Sequence, residues 1–327
     1  MRVTHGFTSN PKTKIDTDTS YTLHIRTALD RAWRGDGRVK AVQLLRERLG
    51  RGTLLAAPGA PDALSARLVE AAGFEAVYMT GLGATASRLG MPDLGLMTQT
   101  EMAEHARAMC RAVAAPVIAD ADTGYGGPLN VRRAVADYVQ AGVAALHLED
   151  QVSPKRCGQL AGVRVVSVAE AEARFSAAVS AREEFGDLAI IARTDALPGQ
   201  GLDVAVERAR RYAGLGVDLV FIDGVKTVKE VEALAARVEA PKVVSIVDGT
   251  DAARLSHADL DSMGFAVCLY ALTGLFASLA AQTAAFAALR ETGTLPATEY
   301  DYARFCEMIG LRSHQDFARR FEAEKGA

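Results

Sequence analysis

At 327 residues, 49% hydrophobic and 24% charged, the chain is long enough for a well-buried core, and its composition excludes wholesale disorder, a coiled coil and a collagen-like chain. A net charge of −3 lacks the positive excess that releases counterions from phosphates, so nucleic acid is not an expected partner. No run of about 18 apolar residues offers a bilayer span and the polar start lacks a secretory signal, so a membrane is not expected either and the chain reads as cytoplasmic.

Residues 1–40 mix Thr, Asp, Lys and Ser without sustained periodicity and read as an arm or leader, ahead of a helical segment at Val39–Leu49. From Thr53 onward, short apolar runs bounded by Gly, Pro or Asp alternate with amphipathic segments. Strands are expected at Thr53–Ala57, Ala76–Thr80, Val117–Ala121, Ala144–Glu149, Ala189–Thr194, Leu219–Asp223, Lys242–Ile246 and Ala266–Tyr270. Most are almost wholly apolar, as parallel strands covered on both faces must be. Eight βα units predict an α/β fold, a (β/α)8 TIM barrel within residues 41–292. The rival is a doubly wound open sheet, but the first turn, Ala57-Pro58-Gly59-Ala60-Pro61-Asp62, carries no glycine-rich phosphate loop. An Ala-rich helix, Leu272–Thr292, and a helical tail at 293–327 follow, suited to subunit contacts.

Barrel chemistry sits where strands end. There the sequence places Tyr78-Met79-Thr80-Gly81, Asp120-Ala121-Asp122, His147-Leu148-Glu149-Asp150, Arg193-Thr194-Asp195 and Asp223. Asp120, Asp122, Glu149 and Asp223 accumulate like charge, which calls for a cation; carboxylates without His or Cys partners suit Mg²⁺, with Mn²⁺ as the alternative. Taken singly, each acid equally well caps a helix or pairs with an arginine. Arg193 offers a fork to a substrate carboxylate, or else a structural ion pair. Thr80, Gly81 and Leu82 expose backbone donors for an oxo-acid oxygen, or form only a tight turn. Tyr78 takes a hydroxyl proton if a cation lowers its pKa, or is packing; His147 is left open. Cys157 lies in a long connection running to about Ser167, a lid by its length, with Lys155 and Arg156 beside it to lower its thiol pKa. It is an acid or base, or an inert loop cysteine. Cys110, Cys268 and Cys306 form no CxxC pair and read as core, while His5, His24, His105, His257 and His314 read as surface residues.

Together, Pro92-Asp93-Leu94-Gly95, Asp120-Ala121-Asp122-Thr123-Gly124-Tyr125-Gly126, Leu148-Glu149-Asp150-Gln151 and Lys155-Arg156-Cys157-Gly158 resemble the isocitrate lyase and phosphoenolpyruvate mutase superfamily. Tyr78–Gly81 and Ala192–Ala196 extend the match. The resemblance implies a barrel whose last helix is swapped between subunits in a homotetramer, a dimer of helix-swapped dimers. It also implies Mg²⁺ and an enolate intermediate. Asp120 would be the direct metal ligand, with Asp122, Glu149 and Asp223 acting partly through water. Thr80, Gly81 and Arg193 would hold the 2-oxo acid, beside substrate contacts from Leu82, Asp93, Lys155, Arg156 and Gly158.

The lid sequence is similar to that of the branch containing 2-methylisocitrate lyase and dimethylmalate lyase, where the cysteine protonates the departing carbanion. Tyr78 matches the same branch. Gln159 stands where a lid histidine is usual, Asp223 replaces glutamate and Ser245 replaces asparagine. The expected activity is a Mg²⁺-dependent carbon–carbon lyase that splits a small 2-hydroxy di- or tricarboxylate into pyruvate or glyoxylate and a second acid. Cys157, Tyr78 and Arg193 are its expected catalytic residues. Alternatives are a phosphonomutase, an oxaloacetate decarboxylase and a non-catalytic 2-oxo acid-binding barrel.

Overall fold

The computed structural model describes residues 37–322, so the expected leader lies outside the described residues except at 37–40. Eight parallel strands close into a barrel in chain order: β1 (Leu55–Ala60), β2 (Val77–Met79), β3 (Val117–Asp120), β4 (Ala145–Glu149), β5 (Ala189–Thr194), β6 (Leu219–Ile222), β7 (Lys242–Ser245) and β8 (Val267–Tyr270). β8 pairs back onto β1, Leu55 opposite Val267, which excludes the open doubly wound sheet.

Alternation along each strand divides the core in two. Leu55, Ala57, Tyr78, Ile118, Ala145, Ile191, Phe221, Val243 and Leu269 fill the barrel. Met79, Ala119, Leu146, Ile190, Ile222 and Val244 instead join a larger cluster with residues of the surrounding helices, among them Met102, Tyr138 and Phe175.

Helix α1 (Gly37–Leu49) sends Val42 and Leu45 into the inner cluster. Its Arg46 bonds Asp187 and Asp218, at 2.8 and 2.9 Å, just ahead of β5 and β6. Those contacts seal the N-terminal end of the barrel and leave the opposite end for chemistry. The remaining helices are α2 (Ala63–Ala71), α3 (Gly81–Leu89), α4 (Gln99–Ala112), α5 (Pro128–Ala141), α6 (Val168–Phe185), α7 (Leu197–Gln200), α8 (Leu202–Ala213), α9 (Val228–Arg237), α10 (His257–Ser262), α11 (Thr273–Thr292), α12 (Tyr302–Met308) and α13 (Leu311–Arg319).

The first strand runs later than expected, through Pro58 and Gly59, the pair that reads as a turn. Gly59 is there for clearance: a Cβ would lie 2.2 Å from the carbonyl oxygen of Ala271. His105 is likewise not a surface residue. It lies on the inner face of α4 with Met102 and Met109, buried, and its Nε2 donates to Pro61 O at 3.0 Å. Among the described residues, no helix is long and apolar enough to cross a membrane. Helix α11, though rich in Ala, Leu and Phe, has no buried residue.

Candidate active site at the barrel mouth

Strand register builds the rim. Asp120 pairs with His147, and Glu149 with Arg193, so β3, β4 and β5 deliver their polar ends side by side. The peptide then turns sharply: Asp122 and Tyr125 hold positive φ, 46° and 62°, a strain that surrounding contacts must sustain. One such contact comes from behind the sheet, where Tyr138 on α5 donates to Asp120 O at 2.9 Å and bonds the Tyr125 hydroxyl.

Two cations organise the acids. Lys155 reaches down from the β4–α6 connection and bridges Asp93 and Asp122, at 2.7 Å from each. Arg193 grips Asp195 with Nε and Nη2, at 2.9 and 2.7 Å, while Nη2 also reaches Asp223 at 2.6 Å. Glu149 lies 3.4 Å from the same nitrogen, too poorly aligned for a hydrogen bond, and neither of its buried carboxylate oxygens has a partner. Nη1 of Arg193 makes no hydrogen bond to any described residue, which leaves both of its N–H groups for a further carboxylate.

Six buried carboxyls, Asp93, Asp120, Asp122, Glu149, Asp195 and Asp223, thus face two buried cations, Lys155 and Arg193. Burial pushes the Asp122 and Asp195 carboxyls up to about 6 and Glu149 well above the usual range. Asp120 goes down instead, to about 2, because its neighbours His147, Lys155 and Arg193 overcome its burial. Among the described residues, no three His, Cys, Asp or Glu side chains form a ready-made metal cage. The four expected ligands are not gathered around one point, and Asp223 is committed to Arg193. The excess negative charge and the orphaned Glu149 oxygens nevertheless fit a hard divalent cation that keeps several of its waters.

The connection after β4 lies closed over this cluster. A Cβ on Gly158 would fall 2.2 Å from Asp223 Oδ2 and 2.8 Å from Arg193 Nη2, so only glycine lets the lid descend this far. Next to it, Cys157 N donates to Asp93 O at 3.1 Å. The expected lowering of the Cys157 thiol pKa does not occur. The charge of Lys155 is neutralised by two aspartates, Arg156 is exposed with Nη1 on Ala161 O, and burial pushes the thiol up to about 11. Cys157 is therefore a protonated thiol at neutral pH. Gln159 is half-buried beside it, and Ser245 is buried at the end of β7.

Tyr78 is buried among the inner residues, and burial together with Asp120 raises its phenol well above 10, opposite to the expected lowering. Its hydroxyl lies 2.9 Å from His147 Nε2. Burial lowers that imidazole to about 4, so the pair is neutral; Nε2 accepts from Tyr78 in the tautomer that carries its proton on Nδ1, 3.7 Å from Asp120. Thr80 caps α3 through Gly83 N, and Gly81 N donates to Asp120 Oδ2 at 3.2 Å; Leu82 follows in the same first turn. Sequence reasoning gave Asp195 no role, although its i, i+2 spacing from Arg193 on a strand end is the signal for a shared face. No local signal marks Tyr78 and His147 as partners, since they meet only across the closed barrel.

A family model described as phosphoenolpyruvate phosphomutase matches residues 45–290. The 2,3-dimethylmalate lyase of Eubacterium barkeri is 37% identical over 280 residues, covering 85% of this chain and 96% of that one. Among solved structures, oxaloacetate acetylhydrolase bound to the inhibitor 3,3-difluorooxalacetate superposes with a TM-score of 0.83 at 33% identity, covering 89% of this chain and 99% of the other. Phosphonopyruvate hydrolase in complex with oxalate and Mg²⁺ gives 0.77 at 29% identity, with 86% and 99% covered.

Proposed function

The chain belongs to the phosphoenolpyruvate phosphomutase and isocitrate lyase superfamily, whose members include lyases, and we propose that it is a Mg²⁺-dependent carbon–carbon lyase acting on a small 2-hydroxy di- or tricarboxylate. The observation that carries this reading is Cys157, a protonated thiol on a closed lid whose next residue, Gly158, lies against Arg193 and Asp223. Phosphoryl transfer needs no acid at that place; cleavage to a carbanion does.

In this mechanism Arg193 Nη1 and the first-turn amide at Leu82 hold the 2-carboxylate, with Thr80 fixing the turn and Gly81 N holding Asp120 beside it. Tyr78 takes the substrate hydroxyl proton as its own proton passes to His147 Nε2. The bond between C2 and C3 breaks, leaving a 2-oxo acid, and Cys157 gives its proton to the departing C3 carbanion. Lys155 and Asp93 hold the lid down, which excludes water while the carbanion exists. Asp120 would hold the metal directly, with Asp122, Glu149 and Asp223 acting through water, and the ion would neutralise the alkoxide and the oxo-acid oxygens. Gln159 and Ser245 would contact the distal part of the substrate.

The test is turnover with Mg²⁺ on 2,3-dimethylmalate, 2-methylisocitrate, isocitrate, citramalate and oxaloacetate. EDTA-sensitive release of pyruvate or glyoxylate with a second acid supports the lyase. Oxaloacetate hydrolysed to oxalate and acetate would instead place the chain with the acetylhydrolase it resembles, and release of CO2 would make it a decarboxylase.

A further inference from the structure

Asp150 follows Glu149 on the chain and so points to the opposite, helix-facing side of the barrel wall. It is fully buried. Its Oδ1 accepts from the Asp195 amide at 3.0 Å, and its Oδ2 accepts from Thr194 Oγ1 (2.7 Å), Arg208 Nη1 (3.0 Å) and Tyr212 OH (2.8 Å). The last two side chains stand on α8, one turn apart, outside the mouth.

The same group holds the root of the lid. Val166, where the connection rejoins the barrel, donates its N–H to Asp150 O at 2.8 Å, and its carbonyl accepts from Arg208 Nη2 at 2.9 Å. At the other strand of the root, Arg174 Nη1 donates to Gln151 O at 3.1 Å, and Val152 N donates to Arg164 O at 2.8 Å. From there the Gln151 amide brackets the peptide just before Cys157: Oε1 accepts from Arg156 N at 3.0 Å, and Nε2 donates to Arg156 O at 2.8 Å.

We propose that Asp150, Arg208 and Gln151 are positioning residues that clamp the lid root and thereby hold Cys157 over Arg193. One carboxylate carries both halves of the device. Asp150 fixes the lid root through Arg208, and through the Asp195 amide it fixes the segment whose side chain grips Arg193. A shift at either end is therefore transmitted to the other. Packing alone does not account for these residues. Arg208 and Arg174 each keep a buried Nε without a partner, a penalty that an apolar side chain in this helix-lined layer would avoid.

The proposal rests on the lyase reading only for its effect on turnover; the effect on the lid is read independently. The full-length enzyme is treated with iodoacetamide at fixed pH, and alkylation of each cysteine is followed by mass spectrometry, with Cys110 and Cys306 as internal references. Opening the lid exposes Cys157 and relieves the burial that keeps it protonated, so both effects act in the same direction. Arg208→Gln and Gln151→Ala are expected to speed Cys157 alkylation on the order of tenfold, and Tyr212→Phe to speed it less.

Arg208→Gln should also lower kcat about tenfold while KM moves much less. Arg182→Gln removes a comparable ion pair with Asp218 near the N-terminal end of the barrel. It should lower the melting temperature without changing Cys157 reactivity. Folded variants whose Cys157 reacts at the wild-type rate overturn the clamp. If Arg208→Gln does not fold, Tyr212→Phe and Gln151→Ala decide the matter in the same way. A wild-type enzyme inactive on every hydroxy acid, yet showing the expected alkylation pattern, would end the lyase reading and leave the clamp standing.

Discussion

The barrel mouth and helix α11 break the ordinary rule of burial in opposite directions. The mouth hides charge: Asp120, Glu149, Arg193 and Asp195 are all buried, and acids outnumber cations. Helix α11 does the reverse, with twenty residues of which none is buried and with Phe286 65% exposed. Excess buried charge calls for a counter-ion, and an exposed apolar helix calls for a cover. We propose that the two regions are completed differently, a small cation neutralising the one and a protein surface covering the other.

The largest effect expected is on the charged side. Chelation by EDTA should lower turnover by about three orders of magnitude or more, with recovery on adding Mg²⁺; turnover that survives chelation would mean that the acids neutralise one another by protonation instead. Next comes Cys157→Ser, which should cost about 10²- to 10⁴-fold in kcat while oxalate binding, measured by calorimetry, stays near the wild-type value. Undiminished turnover would remove Cys157 as the acid. Gly158→Ala should follow at about 10- to 100-fold, because the added methyl meets Asp223 and Arg193 and stops the lid short of closure.

On the apolar side, Phe286→Asp should shift the particle mass measured by light scattering from an oligomer toward a monomer. An unchanged mass would show that α11 does not carry the assembly.

The comparison also explains what could be read from the sequence. The barrel was legible because fully buried parallel strands are apolar without alternation, and the rim was legible because polar residues interrupt those runs at their ends. The end of β1 was not, since Pro58-Gly59 has the chemistry of a turn while its glycine serves close approach to Ala271. Pairings between distant segments were also hidden. Lys155 and Asp93 stand 62 positions apart, and their ion pair is what removes the charge that Lys155 was expected to lend to Cys157. His105 was misplaced for a similar reason: its partner is a backbone carbonyl, which leaves no mark on residue type.

The smallest effect expected is also the one that tests this last point most directly. Burial disfavours the thiolate, so Cys157 holds its proton until the pH approaches about 11. Its alkylation rate in the folded enzyme should rise about tenfold per pH unit up to that value. In the lid-loosened Arg208→Gln variant the midpoint should move down toward the ordinary thiol value of 9.0. The sign carries over to catalysis: an acid must be protonated to act, so Cys157 imposes no loss of turnover across the neutral range and an alkaline limb only near 11. A limb near the ordinary thiol value in the wild-type enzyme would mean either that the lid stands open before substrate arrives or that another group gives the proton. Repeating the profile with Cys157→Ser separates the two, because only in the first case does the limb disappear.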